Sequence, residues 1–209
     1  MKQIGFGLIG PIGSKATLGL VVLQADETLE QDFRRLFPDR DIAIYTSRIP
    51  SGDDLTTDSI AAMEAELPRG AGLLPRAARF DAVGYGCTSG TTLIGAEAVA
   101  RMLRQGVETP MVTDPLTAAL AALRALGVHR LGLVTPYVES IAAPVRDAFV
   151  QAGYAVGQTL TFGEKVEARV ARIAPASIKS AAQAAAKGAQ AVFLSCTNLR
   201  TLDIIDDLE

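Results

Sequence analysis

Tryptophan is absent from the 209-residue chain, histidine occurs once and cysteine only twice. A His-ligated metal site or a Ser-His-Asp triad would have to rest on His129 alone, so neither is expected. Two cysteines 109 residues apart do not make a disulfide framework. There is no excess of positive charge: 20 Lys and Arg face 23 Asp and Glu, a net charge of -3. Such a surface predicts no nucleic-acid partner. No apolar stretch reaches the roughly 18 uninterrupted residues of a membrane span, so no membrane partner is predicted. The amino end, MKQIGFGLIGPIG, carries one Lys and an apolar patch broken by glycine, too short for a secretory signal. The expected compartment is the cytoplasm. What is present is the composition of a globular protein, 49% hydrophobic and 21% charged.

Apolar runs of four to seven residues alternate with helical patterns. Strands are predicted at 5–9, 18–23, 42–46, 82–86, 110–113, 131–135, 155–161 and 191–195. Helices are predicted at 27–37, 54–69, 90–105, 115–126, 137–152, 166–173 and 175–187, with a last one starting near Leu202. This alternation reads as βαβ units building parallel sheets. Gly106, Gly127, Gly153 and Gly188 follow predicted helices as stop signals. Asp114-Pro115 is a helix start, with the acid as N-cap and the proline at the first helical position.

A faint repeat runs through the chain. Leu18-Gly19-Leu20-Val21 recurs as Leu131-Gly132-Leu133-Val134, an offset of 113. Ala82-Val83-x-x-x-Cys87-Thr88-Ser89-x-x-Thr92 recurs as Ala191-Val192-x-x-x-Cys196-Thr197-Asn198-x-x-Thr201, an offset of 109. Two pairs in one order at nearly one offset indicate duplication. Two α/β lobes are therefore predicted, 1–115 and 116–209. Cys196 is followed by only 13 residues, so the second copy is expected to lack its last strand and helices. The missing end would close the second sheet's edge and one wall of the site.

The repeat places both cysteines alike: an apolar strand, then Cys, then Thr, then a small polar residue opening a helix. Ligands of parallel sheets bind beyond the carboxyl ends of the strands. A helix amino end there offers free N–H groups to a thiolate or to a substrate carboxylate. A lone cysteine is most often a small buried hydrophobe. Two in duplicated strand-end settings point instead to chemistry. One thiolate removes an α-proton while the opposite thiol delivers one, or one thiolate adds to an activated double bond. Neither route needs a metal or an organic cofactor.

These motifs resemble the aspartate/glutamate racemase superfamily, in the branch of maleate cis-trans isomerases, arylmalonate decarboxylases and the ectoine-utilisation protein A group. The resemblance rests on Asp26-Glu27-Thr28-Leu29-Glu30, Gly86-Cys87-Thr88-Ser89-Gly90, Val134-Thr135-Pro136-Tyr137-Val138 and the run from Leu194 to Asp203. Leu23-Gln24-Ala25-Asp26-Glu27-Thr28 is most like the ectoine-utilisation group. It implies an α/β fold of two pseudosymmetric Rossmann-like lobes with parallel sheets and the active site in the cleft between them. It implies Cys87 as the first thiolate, Cys196 as the second thiol, and Tyr137 as a carboxylate or orienting contact. Asp26, Thr88, Ser89, Thr197 and Asn198 complete the expected substrate-binding set; a small carboxylate is the expected partner, and a homodimer the expected assembly.

Two departures from that pattern stand out. The resemblance places Asn in maleate isomerases where this chain has Asp26, an acid that would repel a dicarboxylate or pair with a substrate ammonium. It also places a substrate-binding Asn within the stretch that reads Gly163-Glu164-Lys165-Val166-Glu167 here. Arylmalonate decarboxylases, by the same resemblance, lack the first-lobe cysteine, so Cys87 favours an isomerase or racemase. The alternatives are a decarboxylase using Cys196 alone and a two-lobed binding protein for a small metabolite.

Other features have plain readings. Gly5-x-Gly7-x-x-Gly10 matches a dinucleotide fingerprint by letter but has no room for the strand that must precede it. Gly13-Ser14-Lys15 is not a phosphate loop, since the lysine does not follow the glycine. His129 and Ser140 are expected at the surface.

Overall fold

The computed structural model describes residues 1–52 and 56–209. The first half contains β1 (Ala16–Leu23), α1 (Leu29–Leu36), β2 (Ile42–Ile49), α2 (Thr57–Gly72), β3 (Ala82–Gly86), α3 (Thr88–Ile94), α4 (Ala96–Gly106) and β4 (Met111–Thr113). The second contains α5 (Pro115–Ala125), β5 (Arg130–Tyr137), α6 (Glu139–Gln151), β6 (Ala155–Glu164), α7 (Glu167–Val170), α8 (Pro175–Ala185), β7 (Ala191–Leu194) and α9 (Ile205–Leu208). The strands form two parallel sheets, ordered β2-β1-β3-β4 and β6-β5-β7.

The arrangement β2-β1-β3 has the same order and sense as β6-β5-β7, which is the duplication seen in the sequence. In each sheet the central strand is the most deeply buried, β1 over Leu20–Leu23 and β5 from Leu131 to Tyr137. Burial on both faces demands an unbroken apolar run, and both repeats of Leu-Gly-Leu-Val supply it. The strands that precede the two cysteines, β3 and β7, flank these central strands. Their carboxyl ends therefore emerge at equivalent places.

Several expected elements differ. The strand at 5–9 does not form; residues 1–10 are exposed and unpaired with any sheet. Glycine at positions 5, 7 and 10 gives this segment little side chain to pack, and nothing approaches within 4 Å of where a Cβ would stand. The helix expected at 90–105 starts earlier and is broken into α3 and α4 at Gly95, whose φ of +93° lies outside the helical region. The start expected at position 54 lies outside the described residues; Thr56 caps α2 through a reciprocal pair with Ser59. The helix expected from 166 is the single turn α7, and the one near Leu202 is the single turn α9. Tyr137, expected to open a helix, ends β5 instead. The β5–β6 register shifts across Pro136, which has no N–H to give to the ladder.

Among the described residues no helix is long and apolar enough to cross a membrane.

Candidate active site

The first thiol is built by β3 and α3. β3 delivers the chain to Gly86, and Cys87 becomes the N-cap of α3. Its Sγ accepts a hydrogen bond from the Gly90 N–H at 3.2 Å, and the Ser89 hydroxyl stands 3.6 Å away. Only glycine fits at position 90: a Cβ there would lie 2.6 Å from the Tyr85 hydroxyl oxygen and 3.0 Å from the Cys87 sulfur. Cys87 is buried, and burial pushes its thiol up. The Ser89 hydroxyl and the Gly90 N–H pull it back, and the Glu167 carboxylate pushes it further up. Tyr85 lies two residues earlier on the same strand face, with its hydroxyl between Cys87 and the Met63 sulfur, 3.7 Å away. Burial raises its phenol far above the ordinary value. Thr88 is buried beside the thiol, its carbonyl holding the Thr92 hydroxyl at 2.8 Å.

The second thiol differs. β7 ends at Leu194, Ser195 still donates to the Val134 carbonyl at 2.8 Å, and Cys196 turns the chain with φ +94°. A non-glycine residue there stores strain. The helix expected after Cys196 is absent: residues 197–198 form a turn, with Leu199 N–H on the Cys196 carbonyl at 3.2 Å. The left-handed turn at Cys196 and the bonds of the Thr197 and Asn198 side chains to the first half leave no helical start. Cys196 keeps partial solvent contact, yet the atoms packed around its sulfur push the thiol up, as does Glu167. The Tyr137 hydroxyl and the Asn198 N–H act against that rise. Tyr137 itself is buried, and burial, followed by the charges of Cys196 and Cys87, raises its phenol well above its usual value. The charge of Cys87 also acts to raise Cys196, so Tyr137 and Cys196 both feel the first thiol.

A network across the two halves holds these strand ends together. Asp26 Oδ1 accepts from the Thr28 and Leu29 N–H groups at 2.9 and 2.8 Å and so holds the start of α1. Its Oδ2 accepts from the Thr197 hydroxyl at 2.8 Å, and that hydroxyl also reaches the Gly86 carbonyl at 3.0 Å. Asn198 is fully buried and spends its whole side chain within the protein. Its Oδ1 accepts from Glu27 N–H at 2.9 Å, and its Nδ2 donates to the Ala25 carbonyl at 3.3 Å and to Glu167 Oε1 at 3.2 Å. The Thr28 hydroxyl meets the Asn198 carbonyl at 3.1 Å. Asp26, Thr197 and Asn198, all expected to touch substrate, therefore have their side chains engaged in joining the sheets. Cys87, Thr88, Ser89, Cys196 and Tyr137 are brought to one place with them.

The structure adds two residues that the sequence reading did not select. Tyr85 was legible through strand periodicity, two positions before Cys87. Glu167 lies in the stretch already noted as divergent. It is 3% exposed, its Oε1 holds Asn198, and its Oε2 is buried without a hydrogen-bond partner. Burial, then the charge of Asp26, raises its carboxyl above the ordinary value, while Asn198 opposes the rise. His129 and Ser140 are exposed and stand outside this cluster. Among the described residues no group of three or more His, Cys, Asp or Glu could hold a metal ion.

A family model for arylmalonate decarboxylase matches residues 64–209. The arylmalonate decarboxylase of Bordetella bronchiseptica is 29% identical over 208 residues, covering 94% of this chain and 82% of that protein. Among solved structures, the Pseudomonas putida S16 maleate isomerase with maleate superposes with a TM-score of 0.82 at 22% identity, over 93% of this chain and 83% of that one. A Nocardia farcinica maleate cis-trans isomerase mutant with a covalently bound succinylcysteine intermediate gives 0.83 at 22% identity, over 92% and 82%. A liganded double mutant of arylmalonate decarboxylase, with one cysteine introduced and one replaced by serine, gives 0.80 at 24%, over 93% and 83%. These solved structures share the two-lobed fold, and the family model spans most of the chain: it belongs to the arylmalonate decarboxylase family, within the aspartate/glutamate racemase superfamily.

Proposed function

We propose that this enzyme is a cofactor-independent isomerase or racemase of a small carboxylate, working through Cys87 and Cys196. The observation that carries the reading is the pair of cysteines at equivalent strand ends of two related sheets, joined by the Thr197 hydroxyl, next to Cys196, on the Gly86 carbonyl, next to Cys87, at 3.0 Å. Both thiols are pushed up by burial, so both are protonated at rest near neutral pH. Substrate must therefore supply part of what stabilises a thiolate. The fixed part is the Gly90 N–H and Ser89 hydroxyl at Cys87, and the Asn198 N–H and Tyr137 hydroxyl at Cys196.

In the racemase form one thiolate takes the α-proton. The Cα–H bond breaks, an S–H bond forms, and the electron pair passes into the substrate carboxylate as an enediolate. The opposite thiol then gives its proton to the other face of that carbon and is left as the thiolate. In the cis-trans form a thiolate adds to the activated double bond, the new single bond rotates, and the same sulfur leaves with its electron pair. The Nocardia isomerase with its succinylcysteine supports that second form as a model for this fold.

A second reading is a malonate-type decarboxylase in which Cys196 alone protonates the carbanion left by carbon dioxide. It is favoured by the family model and by the Bordetella relative. Proton NMR in D2O separates the two, using maleate, short amino acids, N-acetyl diamino acids and an arylmalonate. The account predicts fumarate from maleate, or deuterium entering an α-carbon with all carboxylates retained. Loss of a carboxylate from the arylmalonate, with none of the other reactions, would establish the decarboxylase instead.

A further inference from the structure

Among the described residues, Glu167 is the buried carboxylate of the site with an oxygen left over. Oε1 is taken by Asn198, but Oε2 is enclosed and unpaired. Buried polar atoms are rarely left so, because each forfeits the hydrogen bonds it had in water. The backbone explains why the residue is there without explaining its chemistry. β6 ends at Glu164, α7 begins at Glu167, and the Asn198 Nδ2 reaches both its carbonyl, at 3.4 Å, and its Oε1, at 3.2 Å. A glutamine would satisfy the same Asn198 contact. A carboxylate at this position serves something else.

The charges nearby indicate what is missing. The groups facing Glu167 are Asp26, Cys87 and Cys196, and all three carry negative charge when ionised. Among the described residues no lysine or arginine forms an ion pair with the Asp26 or Glu167 carboxylate. A substrate carboxylate adds one further negative charge, and a diacid adds two. Gathering like charges in a water-poor site is unfavourable, and becomes more so once a thiol ionises. A substrate that brings a cation, or at least an N–H donor, relieves the crowding at both thiols and pairs the vacant oxygen.

We propose that Glu167 Oε2 is the recognition point for a nitrogen-bound hydrogen on the substrate, an ammonium or amide N–H next to the reacting carbon. The enzyme's substrate class is thereby an amino or acylamino acid rather than a plain diacid. Asp26 is not the group that does this, since both of its oxygens are held by α1 and Thr197. The same nitrogen offsets the Glu167 charge that disfavours both thiolates, so binding and thiolate formation are coupled. This assignment rests on the two-thiol site proposed above.

The test measures protection of Cys87 and Cys196 from iodoacetamide by matched probes: aspartate, 2-aminobutyrate and their N-acetyl forms against succinate, butyrate and maleate. The wild-type protein and Glu167→Gln, an isostere that keeps the Asn198 contact, are compared. In the wild type the nitrogen-bearing probes are expected to protect at concentrations at least roughly tenfold lower than their nitrogen-free partners. In Glu167→Gln that preference falls to about twofold or less, and alkylation without any probe moves to lower pH because a negative neighbour of both thiols is gone. Equal protection by aspartate and maleate in the wild type, protection by no nitrogen-bearing probe, or an undiminished preference in Glu167→Gln would each overturn the assignment. Deuterium exchange at the α-carbon is read in parallel. Nitrogen-selective protection without exchange would keep Glu167 in this role while removing the isomerase reading.

Discussion

The two sulfurs have different supports. Cys87 leans on a helix start, with an N–H and a hydroxyl aimed at it. Cys196 sits on a left-handed turn and leans on Tyr137 and one N–H. Glu167 acts on both, and its own titration gives a direct handle. Its carboxyl is raised above the ordinary glutamate value, so the folded protein holds that proton more tightly than the unfolded chain does. Stability from this group is therefore lost as pH rises from the ordinary value through the raised one, and the full penalty applies above it. Glu167→Gln removes the penalty. We expect the variant to gain thermal stability relative to the wild type as pH is taken from about 4 to 8. Melting curves that stay parallel over that range would contradict the burial of an ionising carboxyl here. A variant that gains stability and loses substrate selectivity marks a residue kept for function rather than for the fold.

At the scale of elements, glycine plays two parts that one letter hides. Gly127, Gly153 and Gly188 end helices with positive φ, as the stop pattern predicts. Gly106, read the same way, does not adopt that conformation. It is the last residue of α4 and lets α4 press on α2: a Cβ there would stand 2.1 Å from the Pro68 carbonyl oxygen and 2.6 Å from the Gly72 nitrogen. Both obstacles are backbone, so neither can turn aside. Gly106→Ala is expected to cost about 1–3 kcal/mol of stability by overpacking, read from denaturant unfolding. An unchanged midpoint would show that the two helices separate freely. Strand positions were legible from the sequence because buried parallel strands are apolar throughout, as in the repeats at Leu18 and Leu131. Helix boundaries were less so. The break at Gly95 and the strand end at Tyr137 depend on backbone angles and on a register shift across Pro136, which residue type alone does not specify.

For the whole molecule, the duplication is the organising fact. Two sheets of matching order bring Cys87 and Cys196 to equivalent strand ends, and the Asp26–Thr197 and Glu27–Asn198 contacts tie those ends together. The thiols could be read from the repeated strand-Cys-Thr pattern. The division of labour around them could not, because Asp26 and Asn198 look like free polar groups until their partners, each 171 positions away in sequence, are known. Glu167 stands in a stretch legible as divergent, but its place beside the thiols is not legible there. It belongs to no repeat, and only the fold carries it from the end of β6 to the two sulfurs.

The central claim is that both sulfurs take part in the reaction. Proton NMR in D2O with the wild type, Cys87→Ser and Cys196→Ser, on whichever carboxylate the wild type converts, tests it most directly. The account predicts that each serine variant stays folded and loses roughly 10²–10⁴-fold in turnover. Full activity in Cys87→Ser, with loss only in Cys196→Ser, would contradict the two-thiol mechanism and leave a single-cysteine decarboxylase.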